Sequence, residues 1–216
     1  MSRDPKRIPS MVKNRRLVEK RRRQIIRGAC DLFVRKGFHK TTTREIAREC
    51  GLSIGTMYEY IQSKEDVLYL VCEYIHSELE KRLKKALAEA GTGREGLTRA
   101  IAQHFKVMEE MSDYVLLIYQ ETKSLPREAM SYVLRKEEEI TSFFEEILKR
   151  GIADGTLILD PSTVKLMAHN IMVLGQMWTF RRWALNGDYS LEEYTRCQTA
   201  LLLDRMQPSE HGREMT

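Results

Sequence analysis

Two short helices joined by a tight turn can be read from residues 42–64, TTREIARECGLSIGTMYEYIQSK, and this stretch limits the possible folds more than any other. Thr42 with Glu45 three residues later forms a capping box, in which each side chain satisfies a free backbone donor at a helix start. Ile46, Ala47 and Cys50 then share one face at helical spacing, and Gly51 supplies the left-handed residue that ends the helix. Leu52 is an apolar plug for the turn. Ser53 can cap a second helix whose inner face is Met57 and Ile61.

The opposite face of that second helix carries Ile54, Gly55, Thr56, Tyr58 and Tyr60, with Glu59 as its one acidic residue. Small, hydroxyl-bearing and phenolic groups can approach a polyanion closely and donate hydrogen bonds to phosphates and base edges. Ser63 and Asp66 form another capping box, which places Lys64 on the first turn of a third helix whose free amides offer an anion site.

Thr42, Thr43, Ile46, Ala47, Gly51, Ser53, Gly55, Tyr58, Tyr60, Lys64 and Leu68 together resemble the tetracycline-repressor (TetR) family of bacterial helix-turn-helix regulators. The resemblance is strong over residues 20–70 and architectural beyond them. It departs at Ile61, where the family usually has phenylalanine, a change in a core contact. It implies a DNA-contacting set of Thr43, Thr56, Tyr58, Tyr60 and Lys64, mostly to phosphates, and the outward start of the second helix adds Ser53, Ile54 and Gly55.

Charge is distributed to match. The formal net charge is +5, yet residues 1–23 hold ten Lys or Arg against Asp4 and Glu19, so the remainder is acidic. Residues 1–19, with Pro5, Pro9 and little apolar content, read as a basic flexible arm that either tethers phosphates or is a solvated tail. Cys30, Cys50, Cys72 and Cys197 show neither C-x-x-C pairing nor nearby clustered His, which points away from a zinc site and toward a reducing cytoplasm. No apolar run has the length of a membrane span. A cytoplasmic protein with no membrane partner, no metal and no cofactor is therefore expected.

Helical periodicity continues throughout, predicting nine helices and no sheet. The first runs from Lys20 to Gly37, with Ile25, Ile26, Ala29 and Phe33 inward. A long one starts at Lys64 and reaches about Ala90, so that it can act as a rod from the head into the second half. Helices follow over about 97–111, 113–122 and 126–151, then a loop around Asp154-Gly155. Asp160-Pro161 opens a helix over 162–185, and Ser190 with Glu193 caps a last one to about Met206. The expected all-α organisation is an arm (1–19), a helix-turn-helix head (20–66, motif 42–61), a helical ligand-binding and dimerisation domain (67–206) and a tail (207–216).

The final helices are joined by a short connection and should form an antiparallel hairpin. Leu166, Ile171, Val173, Leu174, Met177, Trp178 and Phe180 are apolar over more than one face, so residues 162–206 are expected to dock on a second copy. A two-fold homodimer would read a near-palindromic double-stranded DNA operator.

Met108, Met111, Tyr114, Phe143, Phe144, Met172, Met177 and Trp178 suit either an ordinary core or a cavity for a small hydrophobic effector. The resemblance implies an inducer pocket in this half. Arg181, beside Trp178, can offer charge to an anionic ligand such as a fatty acyl-coenzyme A, or equally cap carboxylates of a partner subunit. His39, His76, His104, His169 and His211 are scattered singly, and no glycine-rich phosphate loop or Ser, His and Asp set marks an enzyme. The leading reading is a ligand-responsive repressor; the alternative is a constitutive architectural DNA-binding protein, or an enzyme using the same head.

Overall fold

Capping side chains set the helix boundaries of this chain, of which the computed structural model describes residue 8, residues 12–204 and residue 206. Ten α-helices and no strand occur among the described residues. They are α1 (Arg15–Lys36), α2 (Thr43–Glu49), α3 (Ile54–Tyr58), α4 (Lys64–Ala88), α5 (Gly93–Glu110), α6 (Ser112–Glu121), α7 (Arg127–Ala153), α8 (Val164–Phe180), α9 (Arg182–Leu185) and α10 (Leu191–Asp204). None is long and apolar enough to cross a membrane.

The predicted caps are present. Thr42 and Glu45 form the reciprocal box at α2, and Ser190 and Glu193 exchange the same bonds before α10. The Asp160 carboxylate accepts from the Ser162 amide in the single helical turn Pro161–Thr163 that leads into α8. Gly51 sits at φ 63°, in the left-handed region the turn requires.

Four boundaries differ from the sequence-based expectations, one of them at α5, which begins at Gly93 rather than near residue 97, the Thr92 hydroxyl accepting from the Glu95 amide. The first helix begins at Arg15, because Asn14 caps it by accepting from the Leu17 amide, and its arginines and lysines are good helix formers. Residues 15–19 are thus helix rather than arm, and the Ile8 carbonyl accepts from Arg22 at 2.6 Å. The rest of the expected arm through residue 11, and the tail over 207–216, lie outside the described residues. The helix expected over 162–185 is two helices, broken at Arg181 (φ −110°, ψ 13°). The recognition helix also stops early, at Tyr58.

The contacts divide the chain into two units. One comprises Met1–Ser77 with Met111–Glu137, the other Glu78–Glu110 with Glu138–Thr216, so the division falls within α4 and α7. In the first unit α1 packs on α2 and α6, and α2 on α3. Ile25, Ala29, Phe33, Phe38, Ile46, Met57 and Ile61 are buried there, with the Phe33 and Phe38 rings edge to face at 5.0 Å. Burial of such side chains contributes about 1.5–3 kcal/mol each. Gly28 lets α1 and α2 come together, since a Cβ there would lie 2.7 Å from the Cys50 sulfur.

In the second unit α5 packs on α8 and α10 around Leu97, Ile101, Phe105, Phe144, Ile147, Ile171 and Trp178. His104 is fully enclosed there; its Nε2 donates to the Met172 carbonyl at 3.1 Å, and a Cβ at Gly175 would overlap the ring. Burial lowers the imidazole pKa to about 4, so it is neutral at physiological pH.

Candidate nucleic-acid interface

The surface made by α2, the turn and α3 is built from short-range capping. Ser53 Oγ accepts from the Thr56 amide at 3.0 Å and meets the Thr56 hydroxyl at 2.9 Å, which fixes the first turn of α3. The Tyr58 hydroxyl and the Thr43 hydroxyl are 3.2 Å apart, so the start of α2 and the end of α3 present one polar patch. Tyr58 is 47% exposed; Ser53 and Gly55 are exposed, and Thr43, Ile54 and Thr56 half-buried.

Gly55 is the informative residue. Its φ is not positive, and a Cβ there would meet nothing nearer than Ser53 Oγ at 3.8 Å, so nothing inside the protein requires glycine. Glycine in a helix costs roughly 0.5–1 kcal/mol relative to alanine. A bare backbone at this exposed position suits an external surface that must come very close.

Two members of the expected contact set are placed differently. Tyr60, expected on the outward face, is 3% exposed: α3 has ended at Tyr58, and the chain turns there so that the ring enters the core. Its carbonyl accepts from Arg22 of α1. Lys64 lies over the Phe38 ring at 4.6 Å and donates to the carbonyls of Phe38, His39 and Thr41 at 3.0–3.2 Å. All three ammonium hydrogens thereby hold the α1–α2 connection, a role the spacing did not reveal. The start of α4 is also occupied, because the Asp66 carboxylate accepts from the amides of Gln62 and Ser63.

Arg44 and Arg48 of α2, and Lys40 in the turn before it, were not singled out in the sequence, although the four-residue spacing of Arg44 and Arg48 puts those two on one helix face. All three are exposed, with no ion pair among the described residues. Lys36, by contrast, pairs with Glu45, which with the Thr42 bonds holds the Glu45 carboxyl down at about 2.

The residues expected around an effector divide between the units. Met111 and Tyr114 belong with the head, whereas Met108, Phe143, Phe144, Met172, Met177, Trp178 and Arg181 belong to the second unit. Met108, Phe144, Met172 and Trp178 are packed as core, Trp178 donating to Glu109 at 2.7 Å and lying 5.0 Å from the Tyr194 ring. Arg181 is exposed and stacks over Trp183 at 5.0 Å, directed away from the interior because α8 ends there.

A capped helix-turn-helix with an exposed, cation-flanked second helix, followed by an all-helical second unit, defines a DNA-binding regulator of the helix-turn-helix class. The model of bacterial regulatory proteins of the tetR family matches residues 25–69, and the tetracyclin repressor-like C-terminal domain matches residues 90–206. The chain belongs to the TetR family of transcriptional regulators. It is 28% identical to the HTH-type transcriptional regulator HbdR of Aromatoleum sp. (strain CIB) over 91% of this chain and 85% of HbdR. Its fold is that of a tetR-family regulatory protein from Rhodococcus RHA1, with TM-score 0.76, 22% identity and coverage of 88% of this chain and 99% of that one. It is similar also to AibR in complex with isovaleryl coenzyme A and operator DNA, with TM-score 0.70, 20% identity and coverage of 85% and 98%.

Proposed function

We propose that this protein is a repressor that binds a near-palindromic operator as a homodimer and leaves it when a small hydrophobic effector, of the fatty acyl-coenzyme A class, binds the second unit. The bare backbone of Gly55 on an exposed recognition helix carries the DNA-binding part of this reading. Thr43, Ser53, Ile54, Thr56 and Tyr58 are the contacts around it, and Lys40, Arg44 and Arg48 supply phosphate neutralisation. Lys64 contributes by holding the loop ahead of Thr42.

Support for a dimer through residues 162–206 comes from apolar groups left in solvent. Leu166 and Val173, two turns apart on α8, and Leu201 on α10 are each more than half exposed. A face of this kind is stabilised by its own copy across a two-fold axis. Two heads related in that way read two half-sites, which multiplies the selectivity of one short helix. The acyl-coenzyme A class is supported by the ligand in the AibR complex.

Selection of binding sites from random duplexes, followed by sedimentation of the complex, tests this reading. Enriched inverted repeats with two protomers per site are expected. Recovery of no preferred sequence, or one protomer per site, would contradict it.

A further inference from the structure

The second unit contains a surface groove of about 760 Å³ between α5 and α10. Arg94, Thr98, Ala102 and Lys106 line it from α5 at successive four-residue steps. Twelve residues of helix make it roughly 18 Å long. Between its end residues the α5 wall carries the small side chains of Thr98 and Ala102, with the amide of Gln103 beside them. On the α10 side, Ala200 and Leu203 continue the apolar surface. The Phe105 and Tyr194 rings, 5.4 Å apart, bring the end of α5 to the start of α10, so Lys106 and Arg196 lie toward the same end.

Thr199 lines the same groove. It is buried, and its hydroxyl has no hydrogen-bond partner among the described residues. The hydroxyl is itself shielded from the groove, so rotation of the Thr199 side chain about χ1 would bring it to an occupant that can satisfy it. Arg196 makes no close ion pair among the described residues, although its charge acts on Glu193, and Lys106 reaches Glu110 only at 3.9 Å. Glu192 and Asp204 also line the groove, so three cations face two carboxylates.

We propose that this groove binds a linear amphiphile with one anionic head, the head held by Lys106 and Arg196 and the apolar tail lying along Ala102, Ala200 and Leu203. It deepens, and rests on, the effector-responsive reading above. The Met and aromatic side chains of the interior are packed as core, whereas the groove is open in the same unit. An anionic head complements the paired cations Lys106 and Arg196, and a chain without branches fits beside Thr98, Ala102 and Ala200.

Calorimetric titration of the full chain with dodecanoate, below its micelle threshold, tests the proposal. One molecule per protomer is expected, with dodecanol at least tenfold weaker. Ala102→Trp should block the channel and weaken dodecanoate at least tenfold, and the surface change Arg196→Glu should do the same with no core residue altered. Thr199→Val should weaken it severalfold. No binding to the native chain, or undiminished binding to both Ala102→Trp and Arg196→Glu, would overturn the proposal. Sedimentation adds a separate outcome: Ala102→Trp appearing as a monomer where the native chain is a dimer would make the groove an interface between copies, which also overturns it. Failure of the effector reading looks different, since dodecanoate would then bind the groove while operator affinity stayed the same.

Discussion

Gly55 and His104 illustrate how a single residue reports on function or stability when its surroundings are followed atom by atom. Gly55 has space for a methyl group within the protein, so Gly55→Ala should stabilise α3, by roughly 0.5–1 kcal/mol. The same methyl should weaken operator binding at least tenfold, because it lies where DNA is expected. Urea denaturation and fluorescence anisotropy with operator DNA read the two effects separately; unchanged DNA affinity would remove the close-approach argument. His104 predicts a pH effect. Its folded pKa of about 4 lies below the ordinary value of 6.5, so between these limits the unfolded chain takes up a proton that the folded chain refuses. Stability therefore falls as pH drops from 6.5 toward 4, by roughly 3 kcal/mol at 1.36 kcal/mol per pKa unit. His104→Gln, which retains a donor for the Met172 carbonyl, should flatten that slope in urea titrations. The comparison of the two proteins isolates this residue from Glu73, whose carboxyl is pushed upward by burial and whose contribution declines as pH rises above 4.5.

At the scale of elements, Lys64 ties three carbonyls of the α1–α2 connection to the start of α4. Lys64→Met keeps the stem over Phe38 and removes those bonds, and hydrogen bonds to charged groups contribute about 1.5–3 kcal/mol each, less where solvent reaches them. A loss of about 1–2 kcal/mol in urea denaturation is expected, together with weaker operator binding. Full stability with weak binding would instead restore Lys64 as a direct phosphate contact. Elements were legible in the sequence wherever their ends are local. Thr42 with Glu45, Gly51 and Ser190 with Glu193 act within one turn of chain, and the structure places each cap where the spacing does. Tyr60 and Arg181 were not legible, since both depend on helices ending one or two turns early. Periodicity continues through such breaks: residues 162–185 keep an apolar pattern across Arg181, although the backbone there is not helical. The candidate effector residues are divided between the two units for a related reason. Met and aromatic side chains have the same composition in a core as around a cavity, and only three-dimensional placement separates Tyr114 from Phe144.

For the whole molecule, the central expectation is coupling between effector and operator. α4 is one uninterrupted helix from Lys64 to Ala88, with its first turns in the unit that carries the head and its last turns in the other. If an effector displaces its later turns, a continuous helix transfers part of that displacement to the Lys64 end, and through Lys64 to the loop before Thr42. Bound operator holds the two recognition helices of a dimer at one separation. An effector that favours another separation must weaken DNA binding, and DNA must weaken effector binding by the same factor. The usual coupling of about 1–3 kcal/mol corresponds to roughly a fivefold to 150-fold change in affinity. Reciprocal titration measures both sides: anisotropy gives operator affinity at saturating effector, and calorimetry gives effector affinity with and without operator. Dodecanoate, which the groove is proposed to bind, is a suitable first effector, with a dodecanoyl thioester of coenzyme A as the comparison from the wider class. Replacing two solvent-facing residues one turn apart in mid-α4, Ser77 and Lys81, with glycine should reduce the coupling factor toward one while each ligand alone binds as before, because flexible backbone dissipates the displacement. Equal effector affinity with and without operator in the native chain, for an effector that occupies the second unit, would mean that α4 does not transmit and that this unit serves dimerisation alone.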